Sequence, residues 1–111
     1  MTKRFVMTQV FDQSWAAMGL SDNDLANLQR DLLIDPEAGD LMPRSGGARK
    51  MRVSAKDHGK RGGARVIYVD VVAHEEIYLL LAYPKNELTT LTAAQEKTLR
   101  QLVKSLKGVI P

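Results

Sequence analysis

Two strand-like segments joined by a short link constrain the fold of this chain most strongly. In the first, residues 65–72, apolar side chains recur at every second position, so they share one face of a strand. The second, residues 77–83, is a continuous apolar run of strand length, which is typical of a central, well-covered strand. Because only a short turn at residues 74–76 separates them, the two segments predict an antiparallel hairpin.

Three further segments carry apolar residues at the spacing of a helix. The first covers residues 11–18. The second begins at Ser21, with Asp24 three residues later in an approximate capping box, and the third begins at Thr92, with Gln95 in the same relation. In a capping box the two side chains satisfy backbone N–H groups that a helix start leaves free. The sequence therefore predicts two N-terminal helices and one C-terminal helix.

The order of these segments predicts the fold class. Residues 5–10 predict a first strand, and the alternating segment 50–53 predicts another. The order strand, two helices, three strands, helix predicts an α+β domain with a small, mostly antiparallel sheet. We expect the two N-terminal helices and the C-terminal helix to pack on one face of that sheet. A length of 111 residues predicts one domain, residues 1–111.

The composition excludes several classes of site. The chain has no cysteine, which excludes disulfides, thiolate metal sites and a cysteine nucleophile. Its two histidines, His58 and His74, are far apart and lack clustered carboxylates, so we expect no metal and no cofactor. The N-terminus lacks the apolar stretch of a signal peptide, and no apolar run approaches the ~20 residues of a membrane span. A cytoplasmic protein without a membrane partner is therefore expected.

Positive charge is concentrated in one part of the chain. Residues 44–65 contain eight cations and a single anion, a net charge of +7, whereas the whole chain carries only +3. Five glycines in the same block allow backbone to approach a bulky ligand closely. Such a block creates a local field that attracts polyanions. The sequence therefore predicts nucleic-acid binding, with a solvated basic loop as the alternative.

Three segments in this order resemble the RelE superfamily of toxins, most closely its HigB-like branch. They are GGARKMRV at residues 46–53, GKRGGARVIY at residues 59–68, and YLLLAYPKNEL at residues 78–88, which is followed by Leu91 and Thr92. The resemblance spans nearly the whole chain. It implies the toxin of a type II toxin–antitoxin system, a ribosome-dependent and metal-independent endoribonuclease (mRNA interferase) that cleaves translating mRNA.

The resemblance also implies partners and a reaction. The partners are the ribosome with its mRNA and a HigA-like antitoxin with a helix-turn-helix domain, and operator DNA is bound only through the antitoxin complex. In the reaction the 2′-hydroxyl attacks the adjacent phosphorus and the 5′-oxygen leaves. This route requires a proton acceptor, cations that stabilise the phosphorane, and a proton donor for the leaving oxygen.

Four cations match the family's catalytic positions. The resemblance implies proton transfer by Lys50, phosphate clamping by Arg52, stabilisation of transition-state charge by Arg65, and a further cation at Lys85. Arginine remains charged at any useful pH, so the lysine is the better proton acceptor of the first pair. The expected RNA-binding residues are Arg49, Lys56, Lys60, Arg61 and Asn86.

The chain departs from RelE itself at two positions. RelE has an arginine where this chain has Asn86, and a catalytic tyrosine where this chain has Thr92. HigB-like members tolerate both changes, so the general base and acid stay open. Two other functions also remain: a gyrase inhibitor of the related ParE type, and a module that binds RNA or DNA without cutting it. The set Lys50, Arg52 and Arg65 disfavours the gyrase alternative.

Overall fold

The structure, a computed structural model, describes residues 3–54, 63–85 and 91–108. These residues form five strands and three α-helices. In chain order they are β1 (Arg4–Met7), α1 (Gln9–Ala17), α2 (Asp22–Ile34), β2 (Asp40–Leu41), β3 (Arg49–Ser54), β4 (Gly63–Val71), β5 (Glu76–Pro84) and α3 (Ala93–Leu106).

The strands form one sheet in the order β1-β5-β4-β3-β2. The pair β1–β5 is parallel, and the other three pairs are antiparallel. The predicted hairpin is confirmed as β4 and β5, joined through a short 3₁₀ helix at Val72–His74. The predicted α+β class with a mostly antiparallel sheet is therefore confirmed.

The two capping boxes correctly predicted where α2 and α3 begin. Both capping boxes, Ser21 with Asp24 and Thr92 with Gln95, are present with reciprocal hydrogen bonds. The first strand is shorter than predicted, because the Thr8 hydroxyl accepts a hydrogen bond from the Phe11 N–H and begins α1 there. The two-residue strand β2 was not predicted, because the composition of its segment is typical of turns.

The two N-terminal helices cover one face of the sheet. Phe11 and Trp15 of α1 stack with ring centroids 5.3 Å apart. Together with α2 they pack on side chains from the central strands, including Val66, Tyr68 and Ile77, all fully buried. Burial of this apolar surface is the main source of stability for a domain of this size. We call this side of the sheet the α1/α2 face.

The C-terminal helix covers the opposite face, which differs from the expected arrangement of three helices on one face. Val103 of α3 is fully buried in a separate cluster with Ile67, Val69 and Val71 of β4. The physical reason is that strand β4 carries apolar residues on both of its faces, and each face requires a cover. We call this second side the α3 face.

A β-bulge in β5 changes which side chains lie on each face. Ile67 pairs with Leu81 and Tyr68 pairs with Leu79, so Leu80 is an extra residue on β5. A single extra residue reverses the alternation of all positions after it. As a result Tyr83 joins the cluster on the α3 face.

A buried tyrosine anchors the segment between α2 and β3. The Tyr68 hydroxyl donates to the carbonyl of Pro36 at 2.8 Å and accepts from the Gly39 N–H at 2.9 Å. We expect Tyr68→Phe to lower the free energy of unfolding by about 1–3 kcal/mol, because it leaves these buried groups without partners. Urea denaturation measures the loss. Tyr83→Phe is the matched control, since among the described residues the Tyr83 hydroxyl has no hydrogen-bond partner, and equal losses in both variants would contradict the prediction.

Candidate functional site

Three of the predicted cations meet on the α3 face. Arg52 of β3 lies directly opposite Arg65 of β4 in the antiparallel register, so their side chains share a face. Lys50 is two residues before Arg52 and pairs with Ile67, which places it on the same face. The three side chains line a cleft of about 320 Å³. We call Lys50, Arg52 and Arg65 the cationic cleft.

No ion pair among the described residues involves the three cations of this cleft, whereas several other cations have one. Four cations elsewhere are each paired with a carboxylate: Lys3 with Asp70, Arg4 with Glu76, Arg44 with Glu96, and Arg49 with Glu37. Within residues 3–54, 63–85 and 91–108, no salt bridge or side-chain hydrogen bond reaches Lys50, Arg52 or Arg65. One carboxylate, that of Asp40, also lines the cleft opposite Lys50, so the three cations leave a net charge of +2 (3 − 1), which favours the binding of an anion.

Tyr83 lies next to Arg65 of the cleft, although it is not among the site residues predicted from the sequence. Tyr83 of β5 lies opposite Arg65 in the register, on the far side from Arg52, and is only 8% exposed. Burial raises the pKa of Tyr83, and the positive charge of Arg65 acts in the opposite direction. The phenol is therefore protonated at neutral pH. Only the bulge at Leu80 brings it to this face.

Lys85 directly follows β5 and is not one of the residues that line the cleft. Its backbone N–H donates to the carbonyl of Gly63 at 3.2 Å, which extends the hairpin by one residue past the pair Ala64–Pro84. A Cβ on Gly63 would lie 2.5 Å from Lys85 Cδ, so the lysine stem crosses the glycine. A side chain at position 63 would displace this stem. The predicted fourth cation thus lies beside Gly63, two residues before Arg65 on β4.

Arg49 is not brought together with the cationic cleft. It alternates with Lys50 on β3 and therefore points to the α1/α2 face. There its guanidinium donates to the carbonyl of Gly39 at 2.8 Å and pairs with Glu37 at 3.3 Å. The arginine connects β3 to the chain that follows α2, so its observed contacts are structural.

The remaining predicted residues give no further member of the cleft. Lys56, Lys60, Arg61 and Asn86 lie outside the described residues. Thr92 is the N-cap of α3, and its hydroxyl accepts from the Gln95 N–H at 3.1 Å.

The described residues show neither a metal site nor a membrane-spanning helix. No group of three or more histidine, cysteine, aspartate or glutamate side chains in the described part of the chain is arranged to hold a metal ion. Among the same residues, no helix is both long enough and apolar enough to cross a membrane.

Comparison with known proteins assigns the chain to a family. The family model for the RelE toxin of the RelE / RelB toxin-antitoxin system matches residues 3–110. Among solved structures, the fold is similar to the crystal structure of the isolated E. coli RelE toxin, with a TM-score of 0.50 at 13% sequence identity, over 91% of this chain and 99% of that one. At 13% sequence identity, this similarity is evidence for a shared fold only. The match of the family model over nearly the whole length shows that this chain belongs to the RelE family of toxins of toxin–antitoxin systems.

Proposed function

We propose that this toxin is a ribosome-dependent, metal-independent endoribonuclease that cleaves translating mRNA and thereby inhibits translation. The observation that carries the proposal is the cationic cleft, in which Lys50, Arg52 and Arg65 share one sheet face without a salt bridge among the described residues. Surface cations that serve only solubility have no reason to converge in this way. A phosphodiester carries the negative charge that such a cleft binds, and this charge increases in the transition state.

The proposed reaction is transfer of phosphorus from the 5′-oxygen to the neighbouring 2′-oxygen. The 2′-hydroxyl loses its proton, its oxygen attacks phosphorus, and the bond to the 5′-oxygen breaks. The products are a 2′,3′-cyclic phosphate and a free 5′-hydroxyl. Lys50 is the proposed proton acceptor, because arginine holds its proton too tightly for this role. Arg52 and Arg65 bind the non-bridging oxygens.

Tyr83 is the proposed proton donor to the leaving 5′-oxygen. Its phenol is protonated at neutral pH, and its backbone is one strand away from Arg65, roughly 5 Å. A leaving alkoxide must gain a proton, and a donor next to the arginine that binds the phosphate is well placed to supply it. Lys85 adds positive charge beside Gly63, its hydrogen-bond partner at the end of the β4–β5 hairpin.

The partners we propose follow the HigB-like branch. They are the ribosome with its mRNA in the cytoplasm and a HigA-like antitoxin with a helix-turn-helix domain, through which the complex binds operator DNA. Beyond the cleft we propose Lys56, Lys60, Arg61 and Asn86 as residues that bind RNA, because they flank the cleft-forming strands in sequence. Arg49 is left out of this set, since its contacts are on the α1/α2 face.

Primer extension on a reporter message in a reconstituted translation reaction tests the proposal. We expect cuts at codon-spaced positions that require translating ribosomes, with cyclic phosphate at the new 3′ ends. The same message without ribosomes is the control and should remain intact. An intact message in the complete reaction would reject the proposal, and a supercoiling assay with purified gyrase would then test the ParE-like alternative.

A further inference from the structure

A second groove continues directly from the cationic cleft. It lies between the segment that follows β2 and the first turns of α3, and its volume is about 460 Å³. Lys50 and Asp40 line both the groove and the cleft, so a ligand can extend from one into the other. Apolar side chains form its walls, and they are Leu41, Pro43, Leu91 and Leu99. We call this space the loop–helix groove.

The wall formed by residues 42–48 is held in a fixed conformation. The buried Ser45 hydroxyl donates to the carbonyl of Met42 at 2.7 Å and accepts from the Ala48 N–H at 2.9 Å. From α3, Arg100 donates to the carbonyl of Arg44 at 3.2 Å. Arg44 has a φ of 57°, a left-handed backbone conformation that is unfavourable for residues other than glycine. Such strain persists only where the surroundings enforce it, and it is concentrated at functional sites.

Two carboxylates line the groove, those of Asp40 and Glu96, and the second is held by a salt bridge. Glu96 Oε2 accepts a hydrogen bond from Arg44 Nε at 3.0 Å and lies 2.9 Å from a terminal nitrogen of the same guanidinium. No described residue donates a hydrogen bond to Oε1. The Glu96 side chain is 23% exposed and lines the groove. The salt bridge thus holds the carboxylate and leaves Oε1 available as an acceptor.

We propose that the loop–helix groove binds one nucleobase of the RNA strand whose phosphate occupies the cationic cleft, and that Glu96 selects a base with an amino group. The inference rests on the proposed endoribonuclease function. Apolar walls on both sides of a slot pack against the two faces of a base, and a polar group at the end identifies its edge. Because Lys50 lines both spaces, the base belongs to a nucleotide next to the cut.

The chemistry of a carboxylate defines which bases are preferred. Adenine, cytosine and guanine each present an exocyclic amino group that donates to Oε1. Uracil presents a single N–H between two carbonyl oxygens, and those oxygens repel a carboxylate. A hydrogen bond to a charged acceptor corresponds to a preference of about tenfold. Uracil should therefore be disfavoured at one position of the target codon.

Glu96→Gln tests the inference on messages that differ only in one base at each codon position. We expect the wild-type toxin to cut the adenine, cytosine and guanine messages about tenfold faster than the uracil message at a single position. In Glu96→Gln the ratio should fall to about twofold or less, because the amide also donates a hydrogen bond to uracil oxygens. The ratio is measured within one protein preparation, so it is independent of how much of the variant is folded.

Glu37→Gln is the matched control. Glu37 also forms a salt bridge with an arginine, Arg49, but on the α1/α2 face. Its variant should keep the wild-type base ratio. An unchanged ratio in Glu96→Gln, or a wild-type toxin that cuts all four messages equally, would overturn the inference while cleavage itself upholds the proposed function. Absence of any cutting by wild type would instead reject the proposed function. Loss of antitoxin binding in Glu96→Gln with an unchanged ratio would show that the groove serves the antitoxin.

Discussion

Arg65→Ala is expected to slow cleavage of ribosome-bound message by about 100-fold to 1,000-fold, the usual effect of removing one transition-state donor. The guanidinium lies between Arg52 and Tyr83 in the sheet register and is half-buried, so a neighbouring side chain is poorly placed to replace it. Single-turnover cleavage rates, measured at saturating toxin, report this loss directly. Ribosome binding should weaken much less, because the charge on phosphorus is greatest in the transition state.

Arg30→Ala controls for the loss of one positive charge. Arg30 is exposed on α2, where it donates to the side chain of Asn27 at 3.2 Å, and it contributes nothing to the cationic cleft. Cleavage by this variant should stay near the wild-type rate. A parallel fall of binding and cleavage in Arg65→Ala would contradict the catalytic role and favour a module that binds nucleic acid without cutting it.

Tyr83→Phe should lower the cleavage rate by about 100-fold, because general acid catalysis typically contributes 10²–10⁴-fold. The substitution keeps the ring that packs in the core and removes only the hydroxyl. The pKa of Tyr83 is raised by burial, so the phenol keeps its proton through the neutral range. On the alkaline side the wild-type rate should therefore decline as the phenol ionises, and this decline should be absent in Tyr83→Phe.

Tyr78→Phe provides the control on the same strand. The Tyr78 hydroxyl donates to Glu76 at 3.0 Å, near the beginning of β5 and before the bulge. Removal of this hydroxyl should affect stability and leave the alkaline limb of the cleavage profile unchanged. If Tyr83→Phe cuts at the wild-type rate, the proton donor is another group, and Lys85 is the next candidate.

Local chemistry explains which parts of the fold were predictable. Capping boxes act within four residues, so Ser21 and Thr92 could be identified as helix starts from sequence alone. The alternation of β3 likewise placed Lys50 and Arg52 on one face. Arg65 lies on the same face because the antiparallel register of β3 and β4 pairs it with Arg52.

Features that depend on contacts distant in sequence were not predictable in the same way. The side of the sheet that α3 covers depends on which face α1 and α2 leave open, and no local signal in α3 specifies it. The separation of Arg49 from the cleft, in contrast, was predictable. The alternation of β3 implies that Arg49 points away from Lys50, and this signal could have removed it from the predicted RNA-binding residues.

The extra residue at Leu80 means that the length of β5 can change without changing which side chains lie on each face. Before this residue the odd positions face α1 and α2, and after it the even positions do, as Ala82 does. Deletion of a single leucine from the run of three would remove the bulge and restore regular pairing, so Ala82 and Tyr83 would keep their faces and their partners Val66 and Arg65. Sequence comparisons within the family should therefore treat a one-residue gap at this point as compatible with the same arrangement of side chains on both faces.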